Sequence, residues 1–397
     1  MDIRVQTGCR TPGEGMNEAC LPAGLEVGPH NKAAWDQPSA RRRGLMDLHR
    51  LHRYGLTLRA PQVLPLATGH DYRLHDLESV RWYTSHPCFT GMIVLRGQRI
   101  LLERYAGDFT PSDPHSIQSI TKTSVHLIAG RLVDDGRLDL DEPIVRRLPQ
   151  IGEGYARARV QDLFDMAIIN DYTEDFYDPE ATVGLLEDAH GWRIMPEREH
   201  VDLRCFLRQI SGAGAADPAR RLHYKTANTD IAAWICELAA ERSLREIYLE
   251  IVEALGAEST VYLSTDRGGT PFAGGGLHLT LRDFGRYGLL VARGGVGVGG
   301  RRVGSPAFRD ATRAQHSAGA PSLLGRGHYR NFCETDGRWL GHNGYGGQWL
   351  MVYPEGELVI ACLSALTDSG GLDWSYIARL AELGEHIAAH VIAQGRR

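Results

Sequence analysis

The chain has 397 residues, of which 43% are hydrophobic and 23% charged, and its formal net charge is −5. This balance is ordinary for a globular protein and supplies ample material for a hydrophobic core. No basic excess points to nucleic acid, and no segment approaches the roughly 18 apolar residues of a membrane helix. Nucleic-acid and membrane partners are therefore not expected.

Cysteine usage and the N-terminus bear on the cellular compartment. The seven cysteines are scattered and lack Cys-x-x-Cys spacing, which favours reduced thiols over a disulfide framework or a zinc site. The first residues show no apolar stretch after a basic start, so no secretory signal is expected. We therefore expect a cytoplasmic protein without a metal or other cofactor.

Residues 1–60 are predicted to form an N-terminal extension. They are rich in Gly, Pro and Arg and lack sustained hydrophobic periodicity. An arm that packs on a partner subunit, giving a homodimer, and a loosely ordered leader are equally compatible with this composition. The folded domain is expected over 61–397.

The first regular elements follow this extension. The apolar runs 91–95 and 99–103 flank Arg96-Gly97-Gln98 and predict a β-hairpin. After Ser119, apolar residues recur at helical spacing and predict an amphipathic helix that ends near Gly136.

The middle of the chain is predicted to be mainly helices and long loops, with a clear helix over 229–242. Near the end, the runs 349–353 and 357–363 flank a Pro-Glu-Gly turn and predict two paired strands, and a helix follows from Trp374.

The order of these elements predicts an α/β (α+β) architecture. Strands occur at both ends of the folded region and helices occur between them, so one α/β unit is expected from about 61–140 and 281–397. A mostly helical insertion is expected over about 141–280.

The most informative motif is Ser119-Ile120-Thr121-Lys122. Lys122 is one of only three lysines among 44 basic residues, the others being Lys32 and Lys225. Arginine stays protonated in proteins, whereas a buried lysine can lose its proton and act as a base. An amine one helical turn from a serine can activate the hydroxyl as a nucleophile. The alternative is an ordinary helical turn with a surface lysine.

Further motifs follow in a consistent order. They are Gly136–Pro143 with Leu148-Pro149, Val160–Met166, Tyr224–Asp230, Ala273–Phe284 and Gly341–Gly347. Together with the Ser-x-x-Lys tetrad they resemble the serine β-lactamase and penicillin-binding protein superfamily. The resemblance is to its class C-like branch, which includes esterases, D-aminopeptidases and 6-aminohexanoate-dimer hydrolase. It implies a β-lactamase-like fold with an antiparallel sheet flanked by helices.

The resemblance also implies roles for residues distant from the tetrad. Tyr224 would share a proton with Lys122 and protonate the leaving group; its alternative is a packed aromatic residue. Where the family has Tyr-x-Asn this chain has Thr226, and Asn228 comes two residues later, so either side chain is a candidate to orient the substrate amide. The simplest interpretation of Lys225 is a solvated charge.

Gly341–Gly347 occupies the position of the family's Lys-Thr-Gly strand. His342 replaces the lysine that handles the carboxylate of penicillins, so penicillins are not expected as substrates; a loop histidine without a role is the alternative. The backbone N–H groups of Ser119 and Tyr345 would form an oxyanion hole, and Gly344 would let substrate approach the backbone. Tyr172 and Glu174 are candidates to line the pocket or, equally, surface-loop residues.

These features predict a serine hydrolase that forms an acyl-enzyme on Ser119 from a small-molecule amide or ester. One alternative is a transacylase that passes the acyl group to an amine acceptor in natural-product biosynthesis. Another is a non-catalytic binding or sensor module on the same scaffold, since a fold alone does not establish activity.

Overall fold

A nine-stranded sheet organises the protein in the computed structural model, which describes residues 30–394 except 179, 196–199, 323 and 369. Across the described residues the strands are β1 (Gly55–Leu58), β2 (Ala67–Thr68), β3 (Phe89–Arg96), β4 (Arg99–Tyr105), β5 (His115–Ser116), β6 (Ile168–Ile169), β7 (Ala215–Ala216), β8 (Val261–Ser264), β9 (Leu277–Leu279), β10 (Ala320–Pro321), β11 (His328–Arg330), β12 (Cys333–Thr335), β13 (Leu340–Gly344), β14 (Gln348–Tyr353) and β15 (Leu358–Ser364).

The α-helices of the same residues are α1 (Lys32–Asp36), α2 (Arg41–Leu51), α3 (Glu78–Ser85), α4 (Lys122–Asp134), α5 (Ile144–Arg147), α6 (Val160–Phe164), α7 (Val183–Ala189), α8 (Leu203–Gln209), α9 (Thr226–Ala240), α10 (Leu244–Leu255), α11 (Leu281–Ala292), α12 (Pro306–Ala314) and α13 (Trp374–Gln394). The predicted mixed architecture is confirmed.

The large sheet has the strand order β10-β11-β12-β13-β14-β15-β3-β4-β2. Neighbouring strands run antiparallel except for the short pair β2 and β4. Alternate residues of β3 and β15 enter two separate core clusters, so both faces of the central strands are covered. Helix α11 packs on one face, and α13 with α3 packs on the other. The predicted hairpin β3–β4 and the predicted pair β14–β15 are confirmed.

Helix α4 differs from the predicted amphipathic helix because its polar side is buried as well. Thr123 and Ser124 hydrogen-bond to the hydroxyls of Tyr287 (2.7 Å) and Tyr248 (2.8 Å). The helix passes through the interior between α9 and α12, and these bonds satisfy hydroxyls that burial would otherwise leave unpaired. Burial of the helix removes its first residue, Lys122, from contact with bulk solvent.

A second sheet has the strand order β1-β8-β9-β5, and its strand β5 lies just before Ser119 in the chain. It draws β8 and β9 from the region expected to be a mostly helical insertion, and it draws β1 from the expected extension. Within the described part of that extension, Trp35 and Leu45 are buried in α1 and α2. Residues 30–60 therefore belong to the fold rather than forming a separate arm, and residues 1–29 lie outside the described residues.

Candidate active site

Ser119 lies in a 3₁₀ turn, Gln118–Thr121, that runs directly into α4. The preceding residue, Gln118, has φ +50°, a left-handed conformation that costs a non-glycine residue about 1–3 kcal/mol. The turn leaves Ser119 as a partly exposed residue in an otherwise buried segment. Ser119 therefore lines a cavity while its backbone is fixed by the buried residues around it.

Lys122 is fully buried and its Nζ has three oxygen neighbours. These are Ser119 Oγ at 2.9 Å, Thr226 Oγ1 at 3.1 Å and the Gly274 carbonyl at 2.7 Å. Burial lowers the pKa of Lys122 to about 8, although the carboxyl groups of Glu174 and Asp230 oppose this shift, and burial raises the pKa of Asp230 to about 8 as well. A substantial neutral fraction is thus present near neutral pH, as a base requires.

Tyr224 lies two residues before α9, with the Lys122 ammonium 5.0 Å from its ring centre. Burial and the charge of Glu174 raise its pKa well above the ordinary value, and a hydrogen bond with Ser119 acts in the opposite direction. The phenol is therefore protonated over the physiological pH range. The pKa of Lys122 is lowered and the pKa of Tyr224 is raised. This difference suits Lys122 as a base and Tyr224 as a proton donor.

Thr226, the first residue of α9, connects Lys122 to an acidic group. Its hydroxyl donates to Glu174 Oε1 at 2.6 Å, and its backbone N–H donates to the other carboxylate oxygen. A carboxylate at the N-terminus of a 15-residue helix is favoured by the helix dipole. Both Thr226 and Glu174 line the cavity beside Ser119.

Two other candidates from the sequence lie away from this cavity. Asn228 is fully buried, accepts a hydrogen bond from Tyr155 at 3.0 Å and faces the sulfur of Met166. Tyr172 is buried against Phe206. The structure therefore brings Thr226 and Glu174, but not Asn228 or Tyr172, to the cavity wall.

Lys225 is buried rather than solvated. Its Nζ donates to the backbone carbonyls of Tyr172 and, at 3.3 Å, Asn170. Burial lowers the pKa of Lys225 to about 8. This lysine ties the segment that carries Glu174 to the start of α9.

His342 is buried in β13 with both ring nitrogens hydrogen-bonded. Nδ1 faces the Asn343 carbonyl, which can only accept, so Nδ1 carries the proton and Nε2 accepts from the Tyr329 hydroxyl at 3.0 Å. Burial and the charge of Lys122 lower its pKa to about 3. A neutral imidazole in contact with the Tyr224 ring (6.0 Å between centres) cannot supply the charge of the lysine that it replaces.

The end of β13 lies against the turn that carries Ser119. A Cβ added to Gly344 would lie 2.7 Å from the Ile117 carbonyl oxygen and 3.1 Å from the Gln118 Cβ, so only glycine fits there. Tyr345 follows, lines the same cavity as Ser119, and donates its hydroxyl to Asp36. The backbone segments expected to supply the oxyanion hole are thus adjacent.

A partly open cavity lies beside Ser119. Its walls combine aromatic rings from Trp35, Phe176, Trp192, Phe272 and Tyr345 with carboxylates from Asp36, Glu174 and Glu187. Sequence reasoning missed most of these residues because they come from distant segments without a shared motif. The rarity of lysine was one available signal, since Lys32 pairs with Glu187 at 2.7 Å.

Two kinds of feature are absent from the described residues. No helix there is long and apolar enough to cross a membrane. No group of three or more His, Cys, Asp or Glu side chains there could hold a metal ion.

A Ser-x-x-Lys turn at the start of a buried helix, beside an antiparallel sheet, defines the β-lactamase-like serine hydrolases as a class. The β-lactamase family model matches residues 90–382, and the chain belongs to this family. The 6-aminohexanoate-dimer hydrolase of Paenarthrobacter ureafaciens is 31% identical over 378 residues, covering 92% of this chain and 93% of the relative. The protein is accordingly a hydrolase of the amidase and esterase type.

Solved structures agree on the fold. A Bacillus anthracis protein assigned provisionally as a 6-aminohexanoate-dimer hydrolase has a TM-score of 0.77 at 18% identity, covering 94% of this chain and 98% of the other. EstCE1, a hydrolase with promiscuous acyltransferase activity, has a TM-score of 0.57 at 14% identity, covering 78% and 97%.

Proposed function

We propose that the protein hydrolyses a small amide or ester through an acyl-enzyme on Ser119, with Lys122 as the base and Tyr224 as the proton donor. The hydrogen-bond geometry of Lys122 carries this proposal. The Gly274 carbonyl can only accept, and the Thr226 hydroxyl has given its proton to Glu174. A neutral lysine therefore directs its two N–H bonds at these groups and its lone pair at Ser119 Oγ.

Acylation then follows from these positions. Ser119 Oγ attacks the substrate carbonyl carbon while its proton passes to Lys122 Nζ. The oxyanion would accept hydrogen bonds from the backbone N–H groups of Ser119 and Tyr345. Removing one such donor typically costs about 100- to 1,000-fold in rate.

Collapse of the tetrahedral intermediate breaks the bond to the leaving group. An amine cannot leave as an anion, so it takes a proton from the Tyr224 hydroxyl, which recovers one from the Lys122 ammonium. Water then attacks the acyl-enzyme by the same route in reverse, releasing the acid and restoring the serine. An amine acceptor entering in place of water would give acyl transfer from the same intermediate.

The test is labelling with a fluorophosphonate, followed by mass spectrometry of the peptide that contains residue 119. We expect stoichiometric labelling of Ser119, none in Ser119→Ala, and unchanged labelling in Ser112→Ala, an exposed serine nearby. Absence of labelling in the unmodified protein, together with no turnover of p-nitrophenyl esters, would favour a binding module instead. Product analysis with and without added amines separates hydrolysis from transfer.

A further inference from the structure

Lys32, the first residue of α1, places its ammonium against two carboxylates that line the cavity. Its Nζ lies 2.9 and 2.7 Å from the two carboxylate oxygens of Glu187 and 3.4 Å from Asp36. Both carboxylates line the cavity into which Ser119 opens. Burial would lower the pKa of Lys32, but the charges of Glu187 and Asp36 outweigh it and raise the pKa. Lys32 is therefore a cation at neutral pH.

Glu187 depends on this lysine more than Asp36 does. Asp36 also accepts from the Arg41 guanidinium at 3.3 Å and from the Tyr345 hydroxyl. For Glu187, whose side chain is only 7% exposed, Lys32 is the one lysine or arginine within 4.0 Å among the described residues. Burial raises the pKa of Glu187 even with Lys32 beside it, so without Lys32 this carboxyl group keeps its charge only when another cation takes the place of the ammonium.

The backbone around Lys32 is held in place by contacts of the neighbouring residues Asn31 and Trp35. The Trp35 indole donates to the Trp192 carbonyl at 3.0 Å, and the two rings meet edge to face at 5.4 Å. On the other side, Asn31 accepts from the backbone N–H of Ile194 at 2.8 Å. The residues on either side of Lys32 are thus fixed to the segment 192–194.

We propose that Lys32 determines substrate specificity by occupying a cation subsite of the cavity with its own ammonium. The claim about turnover rests on the proposed function; the claim about the subsite does not. A substrate whose cavity-bound part carries an ammonium would meet a like charge and a carboxylate already paired. The cavity of the unmodified protein therefore takes an uncharged, largely apolar group against its aromatic walls. Removing Lys32 exposes Glu187 and admits an ammonium.

The first experiment compares matched substrates. Heptanoyl and 6-aminohexanoyl p-nitroanilides differ only by a terminal methyl in place of an ammonium, and acetamides of heptylamine and 1,6-diaminohexane place the same difference on the leaving side. We expect Lys32→Ala to raise the ratio of kcat/KM for the charged over the neutral member of one pair by about 10- to 100-fold. In Lys32→Ala/Glu187→Gln the ratio should return to the original value.

The second experiment does not need turnover. The thermal unfolding midpoint of Lys32→Ala is measured with n-propylammonium chloride and with n-propanol, because propylammonium has the same three carbons and ammonium group that the substitution deletes. We expect the ammonium, but not the alcohol, to raise the midpoint of Lys32→Ala, and neither to do so in Lys32→Ala/Glu187→Gln. Lys32→Ser, which leaves the same space for the ammonium ion, serves as a second variant if the alanine variant unfolds.

The outcomes are distinguishable. No ammonium-specific stabilisation in either lysine variant would overturn the subsite. Stabilisation with an unchanged substrate ratio, or an unmodified protein that prefers charged substrates, would overturn the specificity role. If the unmodified protein turned over none of these substrates while the ammonium still stabilised Lys32→Ala, the proposed function would be contradicted and the subsite would stand.

Discussion

Replacing Lys122 by arginine separates its charge from its ability to act as a base. Arginine keeps the positive charge and the donors but cannot lose a proton in this range. With the pKa of Lys122 lowered to about 8, about 10% is neutral at pH 7, against about 0.03% for an ordinary lysine. Burial thus supplies about 300 times more of the neutral form, so the activity lost in the arginine variant should be of this order.

The assay is hydrolysis of a p-nitrophenyl ester between pH 6 and 10. In the unmodified protein, kcat/KM should rise about tenfold per pH unit and level off near pH 8, because only the neutral lysine accepts the serine proton. Lys122→Arg and Lys122→Ala should both lose about 100- to 10,000-fold and lack this rise. Lys225→Arg is the matched control, because the pKa of Lys225 is also lowered to about 8.

Two results would refute this reasoning. One is Lys122→Arg activity within tenfold of the original with the same pH profile. The other is loss of the pH-dependent rise in kcat/KM in Lys225→Arg, which would show that the rise comes from Lys225 and not from Lys122.

The same site should also affect stability. Because the folded-state pKa of Lys122 is below that of the unfolded chain, the unfolded chain binds more protons between about pH 8 and 10.5, and stability rises with pH there. Below pH 8 the buried charge costs about 3 kcal/mol. Lys122→Met should therefore be more stable at pH 7 by up to that amount, with the gain fading towards pH 10.5 in denaturant unfolding. A less stable methionine variant at pH 7 would contradict this.

Two further predictions concern Tyr224 and His52. Tyr224→Phe should lose about 100-fold or more on an anilide but much less on a p-nitrophenyl ester, whose phenolate leaves without a proton; equal losses in kcat/KM would exclude the donor role. Burial lowers the pKa of His52 to about 4, so the unfolded chain binds more protons between about pH 6.5 and 4, and stability falls as pH falls through that window. His52→Leu should flatten this decline by up to about 3 kcal/mol in urea titrations, and an unchanged slope would show that His52 does not contribute.

Local spacing explains why parts of the fold and site were predictable. The β3–β4 hairpin and the contact between Ser119 and Lys122 depend on residues a few positions apart, and turn chemistry and the helical repeat fix such distances. Deciding whether Thr226 or Asn228 faces the site required the exact first residue of α9. The predicted helix began at 229 whereas α9 begins at Thr226, and two residues on a helix differ in direction by about 200°. With that start known, only one of the two can face Lys122.

The sequence by itself determined the family, the mixed fold, and a serine and lysine in contact, since these depend on short motifs and their order. Only the tertiary structure decided what surrounds them. Lys32 and Glu187 are 155 positions apart, and no local rule links them. Their pairing arises because α1 packs against the segment after α7 to bury aromatic surface. Burial likewise turned Lys122 from an ordinary lysine into a candidate base, because a charge loses its hydration only where the whole fold excludes water.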